Sequence, residues 1–300
     1  MKLTKLFLFV FCLICSCTKI INIDIPIHNS KLVINSMFTR GERIALNISS
    51  STSITGGVPP GVSGTTVNLY RDGSLVETAT AYDSIYLASF GPVENAVYTV
   101  EINTPEFESV SATDSMPSKT DIDYAISTDE VCYNDIGTKL KLLKLGFTDT
   151  NPERDYYELK LQVRYLDPYA KPPEQSYIVE RACIGGIIDP VLEEAEIYYS
   201  QANGLVFSDE LFPCETCDLE IFAGILNNDS DEYELMIELR SISENYYKYK
   251  KQLGIYLSKE DGDIFEGIPD PVNLFSNIEN GYGIFAAYMY DRVVLNITNK

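Results

Sequence analysis

The 300-residue chain contains no tryptophan and a single histidine, His28. Nucleophilic catalysis by serine or cysteine usually needs a histidine base beside the nucleophile, and His28 is expected to be a surface residue near the N-terminus. The motifs GxSxG and HExxH and a glycine-rich phosphate loop followed by Lys-Ser/Thr are also missing. The sequence therefore predicts no catalytic residues of these classes, no cofactor and no metal.

Basic residues are scarce as well. Lysine and arginine number 23 against 44 aspartates and glutamates, which gives a net charge of −21. Because a nucleic-acid binder needs a basic surface, no nucleic-acid partner is expected. One enzymatic alternative stays open, since a glycosidase-type hydrolase needs only two carboxylates at the right separation. The acidic loops around Asp229 and Asp231 and around Asp261 and Asp263 lack the spacing of an EF-hand, and they are more typical of solvated turns.

Long hydrophobic runs are limited to one, at the N-terminus. Lys2 and Lys5 precede an apolar stretch from Leu6 to Ile14, which is too short to span a bilayer. A basic start followed by a short apolar run is typical of a secretory signal peptide. Residues 1–16 are therefore predicted to be removed.

Cys17 follows the tripeptide ICS, which resembles a bacterial lipobox. A cysteine made N-terminal at such a site can carry a diacylglycerol on sulfur and a further acyl chain on nitrogen, and two or three chains anchor a protein stably. The sequence predicts lipid attachment at Cys17, followed by a short leader over residues 17–30. An ordinary secreted protein with stray cysteines is the alternative.

Four cysteines remain beyond the leader: Cys132, Cys183, Cys214 and Cys217. In an exported chain an even number suggests disulfides, and four cysteines allow three pairings. The motif CETC at residues 214–217 can be interpreted as a redox site, as half of a zinc site or as a structural bridge. The bridge is favoured, because the sequence shows neither a thioredoxin-like context nor two further zinc ligands.

Alternating apolar and polar residues predict short strands over residues 31–117. KLVINSM and RIALNIS each place apolar side chains on one face, and the TRGE between them, with a Gly for a positive-φ turn, completes a hairpin pattern. TTVNLYRDGSLVETAT has Asp72-Gly73 as the turn of a second hairpin. AVYTVEIN supplies a further strand. This spacing of strands and turns favours an Ig-like β-sandwich domain.

Residues 118–300 are predicted to form a second β-rich domain with one amphipathic helix near residues 241–257. SMPSKTDID, at residues 115–123, is interpreted as the hinge between the domains. Ser241 or Ser243 can cap the start of this helix, and Lys248, Lys250 and Lys251 lie mostly away from its apolar stripe. The helix has apolar residues at steps of three and four. These residues are Ile242, Tyr246, Tyr249, Leu253, Tyr256 and Leu257. The stripe favours packing on a sheet, with a ligand shelf as the alternative.

The order of these segments is similar to that of a known family. TKIINIDIP after the lipobox cysteine, KLVINSMFTRGERIALNISSSTSI, LMIELRSISENYYKYKKQLGIYL and NLFSNIENGYGIFAAYMYDRVVLNI resemble the domain of unknown function 4249 lipoproteins of Bacteroidota. The resemblance implies an outer-membrane lipoprotein without defined catalytic residues, often encoded beside a TonB-dependent receptor. It also implies candidate O-glycosylation at Ser84 and Ser115, in DSI and DSM.

The sequence as a whole predicts a mainly β lipoprotein of the outer membrane, anchored by its N-terminal lipid. Which face of the membrane it occupies is left open. Its expected function is non-catalytic binding as an accessory of a TonB-dependent receptor. The alternatives are a hydrolase of glycan or peptide with paired carboxylates, and a structural or adhesive surface module.

Overall fold

A computed structural model describes the greater part of the chain. The described residues are 29–53, 57, 61–81, 84–167, 176–185, 189–192, 204–212, 215–225, 232–260 and 274–298. Among them are sixteen strands, one α-helix and one 3-10 turn, Asp209–Leu211. The strands are β1 (Leu32–Thr39), β2 (Ala45–Ser50), β3 (Thr65–Arg71), β4 (Ser74–Ala81), β5 (Ile85–Leu87), β6 (Val97–Thr104), β7 (Phe107–Ser115), β8 (Ile122–Tyr133), β9 (Lys139–Thr148), β10 (Tyr156–Leu166), β11 (Tyr177–Arg181), β12 (Cys183–Gly185), β13 (Leu205–Ser208), β14 (Thr216–Gly224), β15 (Glu232–Ile242) and β16 (Tyr282–Thr298). The helix α1 is Glu244–Glu260. In these described residues, the predicted mainly β fold with one helix near residues 241–257 is confirmed.

The strands form three sheets. The central sheet has the order β11-β10-β15-β16-β1-β2-β5, with β13 also paired to β10. The N-terminal sheet has the order β4-β3-β6-β7, and the C-terminal sheet has the order β12-β14-β9-β8. The central sheet thus takes strands from both sides of the boundary predicted at residue 117.

Each smaller sheet packs on a different part of the central sheet. Apolar side chains of β1, β2 and β16 meet those of the N-terminal sheet in one core, whose buried aromatic residues include Phe38, Tyr98 and Phe285. Side chains of β10 and β15 meet those of the C-terminal sheet in a second core around Phe147 and Tyr157. The molecule therefore consists of two sandwiches that share one sheet.

The β1–β2 hairpin shows how the sequence produces these layers. Leu32, Ile34 and Phe38 are buried, while Asn35 and Met37 between them are exposed. Side chains alternate between the two faces of a strand, and each buried one of this size contributes about 1.5–3 kcal/mol. The predicted hairpin is confirmed, with β1 and β2 paired antiparallel.

The second predicted hairpin is also confirmed, because β3 and β4 pair around Asp72 and Gly73. Both turn residues have positive φ, at 50° and 76°. This conformation matches the right-handed twist of the flanking strands.

The longest described strand, β16, is the last strand in the sequence and pairs with β1, the first. It pairs in parallel with β1, from Val33 opposite Tyr282 to Thr39 opposite Tyr288, and antiparallel with β15. Gly283 enters this pairing at φ +107°, where a β-carbon would lie 2.0 Å from the carbonyl oxygen of Ile34. Only glycine fits this close approach.

The segment predicted as a hinge is tied to its surroundings. Met116 is buried, and the backbone N–H of Thr120 donates to Ser241 Oγ at 3.1 Å. The Lys119 ammonium pairs with Asp291 of β16 at 2.8 Å. These contacts fix the path of the chain from β7 to β8.

Candidate functional site

The helix α1 begins against the central sheet through a serine cap. The backbone N–H of Tyr246 donates to Ser243 Oγ at 3.2 Å, and that of Tyr247 donates to Ser243 O at 3.0 Å. Of the two serines considered from the sequence, Ser243 is therefore the cap. Ser241 Oγ instead donates to Thr120 at 3.0 Å.

Asp114 of β7 holds this helix start in place. Its carboxylate accepts a hydrogen bond from Asn245 Nδ2 at 2.8 Å and another from the backbone N–H of Ala287 at 2.6 Å. Burial raises the pKa of Asp114 from 3.8 to about 6, against the lowering effect of hydrogen bonds from Ser243, Ala287 and Asn245. One carboxylate thus joins the N-terminal sheet, the helix and β16.

This raised pKa predicts a pH-dependent stability. The folded state binds the Asp114 proton more tightly than the unfolded state, so this group adds stability as the pH falls below about 6. Between pH 7 and pH 5 the gain should be about 1 kcal/mol. Urea unfolding at both pH values should show this gain relative to Asp114→Asn, which cannot titrate. An equal pH dependence in the two proteins would contradict the assignment.

The inward face of α1 carries the predicted apolar stripe and also Lys250. Tyr246 is 1% exposed and packs with Ile284 and Ala286 of β16. Lys250, expected from the sequence to lie away from the stripe, is 9% exposed. Its ammonium turns inward because the buried Glu158 carboxylate lies 3.1 Å away.

Glu158 is the centre of an ion network beneath the helix, together with Glu238, Arg240, Lys250 and Arg292. The Glu158 side chain is fully buried, and its Oε2 accepts from Arg240 Nη1 at 3.2 Å and from the hydroxyl of Tyr246 at 2.7 Å. Burial and the Glu158 charge raise the pKa of the Tyr246 hydroxyl well above 10, so this hydroxyl remains a donor.

Arg240 joins the two carboxylates of the network. Its guanidinium contacts Glu238 Oε1 at 2.6 Å and lies 4.2 Å from the ring centroid of Tyr288. Burial alone would raise the pKa of Glu238, but Arg240 and Arg292 together lower it below the usual value. Glu158 and Glu238 are therefore paired carboxylates with compensating cations, as in a structural network.

The pairing of Glu158 and Glu238 with cations bears on the alternative that the protein is a hydrolase. A general acid of a glycosidase needs a raised pKa and access to the scissile bond. Glu238 has the opposite shift, and neither Glu158 nor Glu238 lines the two cavities described in the molecule. One of these cavities, about 410 Å³, contains Glu232 and Glu234, and neither of those side chains is buried.

The other cavity is a tyrosine groove of about 630 Å³ between α1 and the β1–β16 pair. Its walls are aromatic, from Tyr249 and Tyr256 of the helix, Phe275 of the segment before β16, and Tyr282 of β16. The remaining lining residues are Val33, Asn35, Leu274, Ser276 and Gly283. Tyr249 and Tyr256 belong to the stripe for which the sequence suggested a ligand shelf, and the other walls come from distant positions.

The groove can bind flat or apolar groups and offers polar atoms at its rim. Aromatic faces provide large contact areas, and tyrosine adds a hydroxyl that can hydrogen bond. Asn35 is exposed beside Val33 on the floor, and Lys31 Nζ lies 5.6 Å from the ring centroid of Tyr282. Among the described residues that line it, none is acidic, although the chain as a whole is strongly acidic.

The predicted disulfides are not formed, because Cys132, Cys183 and Cys217 are free thiols. Cys132 and Cys183 lie on the two edge strands of the C-terminal sheet, β8 and β12, and both pack against the apolar cluster of Leu140, Leu142 and Phe222. Cys217 faces the core of the C-terminal sandwich, and burial raises the pKa of its thiol to about 12. A thiol of that pKa is a weak nucleophile, which argues against the redox interpretation. Cys214 lies outside the described residues.

The structure also places the two candidate glycosylation serines. Ser115 is exposed at the end of β7. Ser84 is partly buried, and its hydroxyl packs so closely on Gly61 that a β-carbon there would lie 2.1 Å from Ser84 Oγ. Ser115 is thus the more accessible acceptor, and glycosylation of either stays a prediction.

Several predicted features lie outside the described residues. They are the signal peptide 1–16, Cys17, most of the leader 17–30 with His28, and the acidic loops with Asp229, Asp231, Asp261 and Asp263. In the described part of the chain, no helix is both long and apolar enough to cross a membrane.

The chain was compared with known proteins. A family model described as "Domain of unknown function (DUF4249)" matches residues 18–292. No curated protein matches. Among solved structures, the collagen adhesin of S. aureus is 6% identical, with 91% of this chain and 95% of that chain covered at a TM-score of 0.20. The collagen binding domain of the Erysipelothrix rhusiopathiae surface protein RspB is 8% identical, with 87% and 96% covered at a TM-score of 0.17. TM-scores this low carry no argument about fold or function.

Proposed function

We propose that this chain, which belongs to the DUF4249 family, is a lipid-anchored outer-membrane lipoprotein that binds a partner and has no catalytic activity of its own. The observation that carries the proposal is the tyrosine groove. A concave, largely aromatic surface with a few polar groups is the usual form of a binding site. The paired carboxylates Glu158 and Glu238 are instead held by cations in the ion network.

The position of the groove suits a partner at the membrane. Val33 lies on its floor and is only sixteen positions after Cys17, where the lipid is predicted. Sixteen residues reach at most about 55 Å when fully extended. A groove this close to the anchor is well placed to contact another protein of the same membrane.

The proposed partner is a TonB-dependent outer-membrane receptor, for which this protein acts as an accessory in nutrient uptake. The order of the sequence motifs supports this proposal, because the family they resemble is often encoded beside such a receptor. The net charge of −21 also favours a protein or solute partner, since an acidic surface is repelled by anionic lipid. Aromatic residues with few charges are enriched in the centres of protein–protein interfaces.

The proposal predicts recovery of the receptor from mild detergent. The lipidated protein, purified from its own membranes, should bring down a TonB-dependent receptor that mass spectrometry identifies. Replacing both Tyr256 and Tyr282 by alanine should reduce the recovered receptor at least about tenfold, because two anchoring aromatic residues each contribute roughly 1–2 kcal/mol or more. The matched control is Tyr133→Ala, since Tyr133 is also an exposed tyrosine and lies outside the groove.

Two outcomes would count against the proposal. Purification of the natural protein without any TonB-dependent receptor would rule out such a receptor as the partner. Equal recovery with the groove variant and with the control would show that the contact lies elsewhere on the surface.

An adhesive surface module is the second candidate, and one observation favours it. The edge strand β8 exposes Tyr124, Ile126, Val131 and Tyr133, by 40% to 66%. Exposed apolar side chains on an edge strand can pair with another chain. Loss of cell adhesion in Ile126→Lys, with receptor recovery unchanged, would support this candidate over the first.

A further inference from the structure

The tyrosine groove opens onto a sheet face without charged side chains. Beside it, the strands β1, β2 and β5 turn one set of side chains away from the N-terminal core. These side chains are Val33, Asn35, Met37, Ala45, Asn47, Ser49, Ile85 and Leu87. None of them is charged, although the chain as a whole carries −21. The set is called the neutral face below, and it shares Val33 and Asn35 with the groove.

Two asparagines lie side by side where the groove and the neutral face meet. Asn35 and Asn47 are paired across β1 and β2, and residues opposite each other in antiparallel strands have Cα atoms about 4.5–5.5 Å apart. Both are exposed, and among the described residues neither side-chain amide has a hydrogen-bond partner. Each amide offers two N–H donors and a carbonyl acceptor. The pair can therefore bind a ligand that both donates and accepts hydrogen bonds, as neighbouring hydroxyl groups do.

Aromatic rings form the walls beside these amides. Tyr282 is 46% exposed, and Tyr249 and Tyr256 of α1 line the groove with it. A saccharide ring has C–H groups on its faces, which pack on aromatic rings, and hydroxyl groups on its edge. The groove volume of about 630 Å³ lies within the range of about 300–1,000 Å³ that is usual for small-molecule sites. One groove thus offers both stacking surfaces and paired amides.

The charges around the groove favour a neutral ligand. Among the described residues that line it, no carboxylate is available for a cationic ligand. Two ammonium groups at the rim are already engaged. Lys31 Nζ lies 5.6 Å from the Tyr282 ring centroid, and Lys248 Nζ lies over Phe275 and pairs with Glu244 at 2.9 Å. The net charge of −21 also repels anions at longer range.

We propose that the tyrosine groove, together with Asn35 and Asn47 of the neutral face, binds a neutral oligosaccharide. Sugar rings stack on the tyrosines, and their hydroxyl groups bind the two amides. A purely apolar ligand would leave these amides without hydrogen bonds, which costs affinity. The inference deepens the proposed function by naming the class of nutrient, and only the delivery of that nutrient to a receptor rests on the proposed function.

The test is calorimetric titration of the full mature chain in a detergent without a sugar headgroup. The probes are maltohexaose, cellohexaose, xylohexaose and mannohexaose. At least one of these neutral saccharides should bind with favourable enthalpy, because hydrogen bonds dominate the polar part of the contact. Its affinity should be the same at low and high salt, since salt screens only charges. Hexagalacturonate, a charged saccharide of the same length, should bind at least about tenfold more weakly.

Replacing both Asn35 and Asn47 by alanine should weaken binding of the best probe at least about tenfold, because two hydrogen-bonding groups are lost. The matched control is Asn296→Ala, since Asn296 is an exposed asparagine of the same sheet and lines the other cavity. Recovery of the receptor should be unchanged in the double variant, because Tyr256 and Tyr282 remain. Saccharide binding is measured on the isolated protein, so a failure to recover a receptor would count against the proposed function alone.

Three results would overturn the oligosaccharide site. The first is the absence of binding by all four neutral probes. The second is equal affinity of the natural protein and the Asn35→Ala, Asn47→Ala variant for a probe that binds. The third is binding of hexagalacturonate as tightly as the best neutral probe. Binding of Nile red, a neutral planar dye, when no saccharide binds would identify the groove as an apolar docking site instead.

Discussion

Replacing Arg240 by methionine should lower the free energy of unfolding by about 3–5 kcal/mol, because removing one partner of a buried ion pair leaves the other charge uncompensated. Glu158 is fully buried, and Arg240 is 13% exposed in its side chain. The variant would also lose the stacking of the guanidinium on Tyr288. Urea unfolding at neutral pH, with the two proteins compared at equal concentration, measures the loss.

Arg292→Met is the matched control for this prediction. Arg292 pairs with Glu238 of the same ion network, but its side chain is 50% exposed, so its removal should cost about 1 kcal/mol or less. Combining Glu158→Gln with Arg240→Met should recover part of the lost stability, because the carboxylate charge that Arg240 compensates is then removed with it. The recovery should be incomplete, since Lys250 loses its 3.1 Å contact with the Glu158 carboxylate. A loss below about 1 kcal/mol in Arg240→Met would show that Lys250 and Tyr246 suffice for Glu158.

Replacing Cys17 by serine should move the mature protein almost completely from the membrane to the soluble fraction. The expected reason is the loss of two or three acyl chains, each of which contributes about 0.8 kcal/mol for every buried methylene. Fractionation of cells and intact mass of the extracted protein measure the effect. Cys12→Ser, within the apolar run of the predicted signal peptide, should leave the anchoring unchanged. A natural protein whose N-terminus carries no acyl mass would contradict the lipidation prediction.

The local alternation of apolar and polar residues, with the turn residues, was sufficient to predict the two hairpins. Buried and more exposed side chains alternate along β2 and along β1 as far as Phe38, and a short turn joins these two strands. The Asp72-Gly73 turn joins β3 and β4. Each of these features depends on residues close in sequence. The orientation of Cys217 could have been predicted in the same way, because it alternates with Leu219 and Ile221 on the buried face of β14. Counting cysteines without this pattern led to the wrong disulfide prediction.

Contacts between residues far apart in the sequence could not be predicted. Nothing near Val33 or Tyr282 indicates that these residues, about 250 positions apart, lie opposite each other. The inward turn of Lys250 depends in the same way on Glu158, which belongs to another strand. The tyrosine groove combines such distant segments, so the sequence suggested only the wall formed by Tyr249 and Tyr256.

The parallel pairing of β1 with β16 sets an order of events during synthesis. A chain made from its N-terminus presents β1 long before β16, so the sheet shared by both sandwiches stays incomplete until β16 is made. Contacts between such distant segments form slowly, since the intervening loop must be ordered first. The exposed edge of β1 must therefore be kept from pairing with other chains until β16 is made, and a stop codon before β16 would deprive both sandwiches of their common strand at once.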